Sequence, residues 1–208
     1  MRIKELLQEA PLPDDWDKDI FNERVPFKTR VEYAKARAEQ VGKGSSRVAF
    51  VIPYQGRKTV LKVALNKNKG LAQNDEEAKL LEDWYIKNIG NVIPLIDYDE
   101  RNSRPTWIHT EYATKITQKQ LERYFGNVPM YQITSYLDRM SGKSKFRGSS
   151  ELPEHVLENE NFQMLQDLVL NFSMPAGDLS RKANWGLYKG TPVIIDLGYT
   201  DQTASLYK

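Results

Sequence analysis

The clearest pattern along the chain is a pair of strands. Val48, Phe50 and Ile52 alternate with other residues in one run, Gln55-Gly56 supplies a turn, and Thr59-Val60-Leu61-Lys62-Val63-Ala64-Leu65 returns as the partner. Upstream, residues 28–40 have helix-forming composition, and from Val41 the pattern changes to strands. Downstream, Glu77, Leu81 and Trp84 recur at i, i+4 and i+7, which predicts a helix over about 73–88 with those three side chains on one inward face. Residues 92–98 and 106–112 read as two further strands with a turn at Asn102-Ser103. The second half is mostly helical, at 117–125, about 131–141 and 158–172, where Phe162, Leu165, Leu168 and Leu170 form the apolar side. Short strands at 185–188 and 192–196 close the chain. A five-stranded lobe with one helix, followed by a helical lobe carrying a small hairpin, is a bilobal α+β arrangement.

The ends and loops divide the chain further. Residues 3–9 read as a short amphipathic helix, and Pro11-Leu12-Pro13-Asp14-Asp15-Trp16 resists any regular element. Residues 1–30 are therefore expected to be an N-terminal extension that packs on the main body or serves as a docking arm. Residues 31–113 form the first lobe and 114–208 the second. Between the second and third helices of the latter lies a basic loop, Gly142-Lys143-Ser144-Lys145-Phe146-Arg147-Gly148-Ser149-Ser150.

Composition narrows the chemistry. With 208 residues the chain can build one sizeable core or two small lobes, and 40% hydrophobic with 28% charged residues fits an ordinary globular protein rather than a disordered one. A net charge of +2 is too small to argue for nucleic acid. The absence of cysteine excludes disulfides, thiolate metal sites and a cysteine nucleophile, and His109 and His155 alone cannot build a histidine-rich metal site. No apolar run reaches membrane-spanning length, and Met1-Arg2-Ile3-Lys4-Glu5-Leu6-Leu7 carries an acid and lacks a signal-peptide core, so a cytoplasmic location is the default expectation.

Several residues stand out against this background. Gly42-Lys43-Gly44-Ser45-Ser46-Arg47 lies between predicted strands, either as a plain hairpin turn or as a loop whose backbone N–H groups approach phosphates, with Arg47 reaching a phosphate or stiffening the loop. Lys62 sits inside an apolar strand, where it must snorkel to the surface or meet an anion. Glu77 on the next helix is the expected anion, since it shares a face with Leu81; Glu76 is the competitor. Near the end, Asp178 is followed by Asn184 and then by an apolar strand closing in Asp196-Leu197-Gly198.

Taken in order, these pieces resemble the protein-kinase-like superfold. The matching segments are the Gly42–Gly44 loop, Val60-x-Lys62, Glu77-x-x-x-Leu81, Thr110-Glu111-Tyr112-Ala113 as a hinge, the Asp178 loop and Asp196-Leu197-Gly198. The resemblance implies ATP with Mg²⁺ or Mn²⁺ as cofactor. By that resemblance Lys62, held by Glu77, anchors the phosphates, while Gly42, Gly44, Arg47, Val60, Glu111 and Ala113 line the nucleotide. Asp178 is the catalytic base, and Asn184 and Asp196 are the metal ligands. The chain also departs from the pattern. Ala176-Gly177 precedes Asp178 in place of His-Arg, closer to aminoglycoside-kinase-like enzymes. Ser180 stands where many kinases carry a phosphate-steering lysine, Asn184 is one residue further from Asp178 than usual, and Leu197 replaces phenylalanine. With no activation segment, the acceptor is expected to be small or loosely held.

The expectation is thus a phosphotransferase acting on an alcohol group of a protein or small molecule not yet identified. The compact size and the start of the chain resemble small kinase-like proteins of tailed bacteriophages, which implies host cytoplasm or the virion. The alternatives are a pseudokinase that docks a partner through residues 1–30 and a virion-associated structural protein.

Overall fold

The structure is a computed structural model that describes residues 12–89, 91–142 and 151–207; the helix expected at 3–9 and residues 143–150 of the basic loop lie outside them. It is a mixed α/β molecule with a five-stranded antiparallel sheet and a helical part. The chain divides into two compact units, one comprising residues up to Glu82 with Pro94–Tyr112, the other Asp83–Ile93 with residues from Ala113 onward.

The first unit is organised by its sheet. Strands β1 (Glu39–Lys43), β2 (Arg47–Tyr54), β3 (Arg57–Ala64), β4 (Leu95–Tyr98) and β5 (Trp107–Glu111) lie in the order β1-β2-β3-β5-β4, every pairing antiparallel. The β2–β3 hairpin closes through Gln55 and Gly56, both with positive φ (49° and 73°), the twist that a tight two-residue hairpin needs. Alternation along β2 and β3 gives the sheet two faces. Val48, Phe50, Ile52, Leu61 and Val63 share one face, packed with Leu12, Trp16, Phe21 and Ala34 of the preceding segment and helix α1 (Phe27–Lys35). Full burial of side chains such as Phe50 and Leu61, each 0% exposed, contributes about 1.5–3 kcal/mol apiece. Arg47, Ala49, Val60 and Lys62 are left on the opposite face. Lys62 meets helix α2 (Lys69–Glu82) there.

The second unit gathers helices α3 (Trp84–Ile89), α4 (Gln118–Tyr124), α5 (Met130–Met140), α6 (Glu154–Leu157), α7 (Glu160–Asn171), α8 (Ala176–Leu179) and α9 (Asp201–Ala204). A capping box starts α4: the Thr117 hydroxyl accepts from the Gln120 N–H at 3.2 Å and the Gln120 side chain accepts from the Thr117 N–H at 2.9 Å. Ile133 and Leu137 of α5 and Phe162, Leu165 and Leu168 of α7 are buried. A small antiparallel sheet, β6-β7-β8, consists of Thr114–Lys115, Trp185–Tyr188 and Thr191–Ile194. Gly186 in β7 is required by space, because a Cβ there would lie 2.6 Å from that of Ala113. Beyond the sheet edge the Ile194 N–H donates to Asn91 and its carbonyl accepts from Ile93, both at 2.9 Å.

Four boundaries and the exposure of two residues differ from the sequence reading. The helix expected at 28–40 ends at Lys35, and Glu39 and Gln40 pair with Val51 and Phe50 in β1 instead. The helix expected at 73–88 is two helices: Asp83 breaks it, its Oδ1 accepting from the N–H groups of Tyr85 and Ile86 at 2.8 and 3.2 Å, as a helix N-cap does. The break turns Trp84 outward, and it is 77% exposed rather than inward with Leu81. Of residues 92–98 only Leu95–Tyr98 is strand, Val92 forming a lone bridge to Ile194. The last strand stops at Ile194, and Leu170 on α7 is 40% exposed, outside the apolar face. Among the described residues no helix is long and apolar enough to cross a membrane.

Candidate functional site

In the first unit the candidate residues centre on Glu77. It lies on the inner face of α2, 0% exposed, and both carboxylate oxygens are engaged: Oε1 by the Lys62 ammonium and Oε2 by the Arg47 guanidinium. Lys62 is there because period-2 alternation sends it to the face opposite Leu61 and Val63, over which α2 packs. It is 8% exposed, so it does not snorkel to water. Glu76 is only half-buried and takes no part.

Arg47 was not foreseen as a partner of Glu77. It also donates to the Asn74 Oδ1 at 3.4 Å, one helical turn before Glu77. Next to it the Ser46 hydroxyl donates to Gln73, and the Ser46 carbonyl accepts from the Leu65 N–H at 2.7 Å. The signal available in the sequence was an arginine opening an apolar strand, with polar residues recurring at 73, 74 and 77 on a helix otherwise buried on that side.

The remaining nucleotide candidates of this unit are placed as follows. Gly42 sits at an irregularity of β1 where the register shifts, and Gly44 lies in the turn, its N–H donating to the Arg47 carbonyl at 2.9 Å. That amide closes the hairpin. Val60 is half-buried on the Lys62 face, paired with Val51 and Thr110. Glu111 ends β5; its N–H donates to Pro94 at 3.0 Å and its carboxylate takes Arg57 from Nε at 3.3 Å and Nη2 at 3.0 Å. Ala113 belongs to the second unit, against Gly186.

The second unit brings Asp178, Arg181, Asn184 and Asp196 together. Asp178 is in the short helix α8, 9% exposed. The Asn184 Nδ2 donates to the Asp178 Oδ2 at 2.8 Å and to its carbonyl at 3.0 Å, and Arg181 Nη1 stands 3.4 Å from Oδ1. The Asn184 carbonyl accepts from the Ile195 N–H at 2.8 Å, which ties the Asp178 loop to the segment carrying Asp196. Burial, and then the charge of Asp196, push the Asp178 carboxyl above its ordinary range, while Arg181 and the Asn184 hydrogen bond pull it part of the way back. Gly177 is not demanded by space, since a Cβ there would meet nothing within 4 Å.

No group of three or more His, Cys, Asp or Glu side chains among the described residues is placed to hold a metal ion. The two residues that the sequence offers for a cation, Asn184 and Asp196, both belong to the second unit. The charge of Asp196 is felt at Asp178, so the two carboxylates share one part of the second unit. The Asn184 nitrogen is committed to Asp178.

No protein-family model matches the sequence, and no curated protein matches it. Among solved structures it is similar to two crystal structures of a thermostable mutant of aminoglycoside phosphotransferase APH(4)-Ia, one in ternary complex with AMP-PNP and hygromycin B, the other with ADP and hygromycin B. Both are 16% identical with a TM-score of 0.29; the matches cover 51% and 56% of this chain but only 35% and 39% of those chains. A likeness of that degree carries no inference about what this chain does.

Proposed function

We propose that the chain is a kinase-like phosphotransferase that uses ATP with a divalent cation and transfers the terminal phosphoryl group to an alcohol. The observation that carries this reading is the Lys62–Glu77 ion pair, buried on one face of the five-stranded sheet. Burying an ion pair contributes little net stability, so a pair kept there is better explained by a charged ligand than by folding. The second unit supports the same reading. A carboxyl raised above its ordinary range by burial and by the charge of Asp196 suits an acid–base group beside a cation site.

In this reading Lys62 contacts the nucleotide phosphates and Glu77 orients its ammonium. Val60 offers an apolar surface to the base, the backbone near Glu111 bonds its edge, and Gly42, Gly44 and Arg47 form the loop of the same unit. Asn184 and Asp196 hold the divalent cation. Bound there, Mg²⁺ would neutralise phosphate charge. Asp178 accepts the proton of the attacking hydroxyl on Oδ1, the oxygen that Asn184 does not occupy. Arg181, exposed and 3.4 Å from that carboxyl, and the exposed Lys182 that follows it suit a small or loosely held acceptor carrying negative charge.

Thermal melting with ATP and Mg²⁺ or Mn²⁺ tests the reading. At 100 times the dissociation constant the fold should gain about 2.7 kcal/mol. No change at millimolar ATP with either cation would remove it. Stabilisation without transfer of label from γ-labelled ATP would leave a nucleotide-binding module.

A further inference from the structure

We infer that Arg47 is a positioning residue for Lys62, acting through Glu77; the inference rests on the phosphotransferase reading for its functional consequence. A carboxylate held on one oxygen can rotate or offer both oxygens to its single partner. Glu77 has neither freedom, because Arg47 takes Oε2 while Lys62 takes Oε1. Arg47 is itself fixed. It opens β2, is 7% exposed, and reaches Asn74 on the preceding turn of α2. Both contacts come from one nitrogen, Nη1, whose two N–H groups are fixed in the guanidinium plane.

The neighbouring contacts hold the same registration. The Ser46 hydroxyl bonds Gln73, and the Ser46 carbonyl receives the Leu65 N–H and lies 2.6 Å from where a Cβ of residue 70 would sit, so Gly70 lets α2 approach the loop. The loop that the sequence offered as a phosphate cradle is therefore stitched to the helix. Its arginine is directed to Glu77 rather than outward, and its effect on a nucleotide passes through the orientation of the Lys62 ammonium.

The test compares Arg47→Met, which keeps the apolar stem and removes the charge, with Arg47→Lys, which keeps the charge on an ammonium in place of the planar guanidinium. Two readouts are taken on each: the dissociation constant for ADP with Mg²⁺, and the NMR signal of Lys62 with isotope-labelled lysine. Loss of one charge-assisted contact should weaken nucleotide binding about tenfold in Arg47→Met, with most of the affinity restored in Arg47→Lys. The Lys62 signal should move in Arg47→Met and return toward the parent in Arg47→Lys, which a merely structural arginine would not produce. Parental affinity and an unmoved Lys62 signal in Arg47→Met would overturn the inference. Arg47→Gln serves if the methionine variant does not fold, and failure of both to fold would also overturn it, since Arg47 would then be a folding residue. A parent that binds no nucleotide sinks the phosphotransferase reading alone; the Lys62 signal still decides the role of Arg47.

Discussion

Asn184 reaches back along the chain to grip Asp178 twice, its Nδ2 donating to the Oδ2 at 2.8 Å and to the backbone carbonyl at 3.0 Å. The first bond stabilises the carboxylate; the second fixes the loop that presents it. The carboxyl nevertheless stays above its ordinary range, because burial and Asp196 outweigh Asn184 and Arg181 together.

That balance sets a pH dependence. A carboxyl raised in the folded state favours folding when protonated, so its contribution is fully present below the ordinary value of 3.8 and is lost as pH rises through the folded value. Asp178→Asn removes the ionisation and keeps an acceptor for Asn184. The variant should therefore become more stable than the parent, by a margin that opens from about pH 4 upward and then levels off. Urea unfolding of both proteins across that range measures it, and a margin that does not change with pH would show that Asp178 titrates normally.

Asp178 and Asp196 should separate when transfer is measured. Asp178→Asn should leave ATP affinity nearly intact and slow phosphoryl transfer by about 10²–10⁴-fold, as loss of a positioned acid–base group does. Asp196→Asn should weaken cation-dependent binding as well as turnover. Equal labelling by parent and Asp178→Asn protein would mark the activity as a contaminant.

Glu77 and Lys62 are unequal partners. Lys62→Met leaves Glu77 with the Arg47 guanidinium, so the protein should fold and lose nucleotide affinity. Glu77→Leu removes the carboxylate that two buried cations share and should cost about 3–5 kcal/mol, the range for breaking a buried pair from one side. Chemical denaturation of the two variants gives the comparison, and similar losses in both would mean that Arg47 does not share the charge.

The β2–β3 hairpin was legible because it is written locally: Gln55-Gly56 suits a tight turn and the flanking residues alternate. Lys62 and Glu77 could be matched because a strand lysine and an inward helix glutamate each need a partner. Trp84 was misread because the i, i+4, i+7 pattern cannot see a cap, and Asp83 restarts the helix before the tryptophan. Strand β6 escaped notice because two residues, Thr114–Lys115, carry no periodicity and are defined only by their pairing with β7. The Arg47–Glu77 contact joins residues thirty apart, and nothing local distinguishes it from an arginine facing solvent. Asp83→Ala should cost about 1 kcal/mol for the lost cap. Trp84→Ala, at an exposed site, should change stability by less than about 0.5 kcal/mol in the same urea experiment.

The stitching of Ser46 and Arg47 to α2 also governs how this part of the molecule breathes. The Leu65 amide bonds the Ser46 carbonyl, Gln73, Asn74 and Glu77 hold the same loop, and the Asn74 side chain reaches on to the Pro105 carbonyl at 3.0 Å. None of these segments can part from the others without exposing a buried polar group, so the loop, the helix and the start of β5 should open as one cooperative unit. In native-state hydrogen exchange the amides of Leu65, the middle of α2 and Trp107 should therefore report a common opening free energy, while the Gly56 turn at the far end of the hairpin exchanges freely.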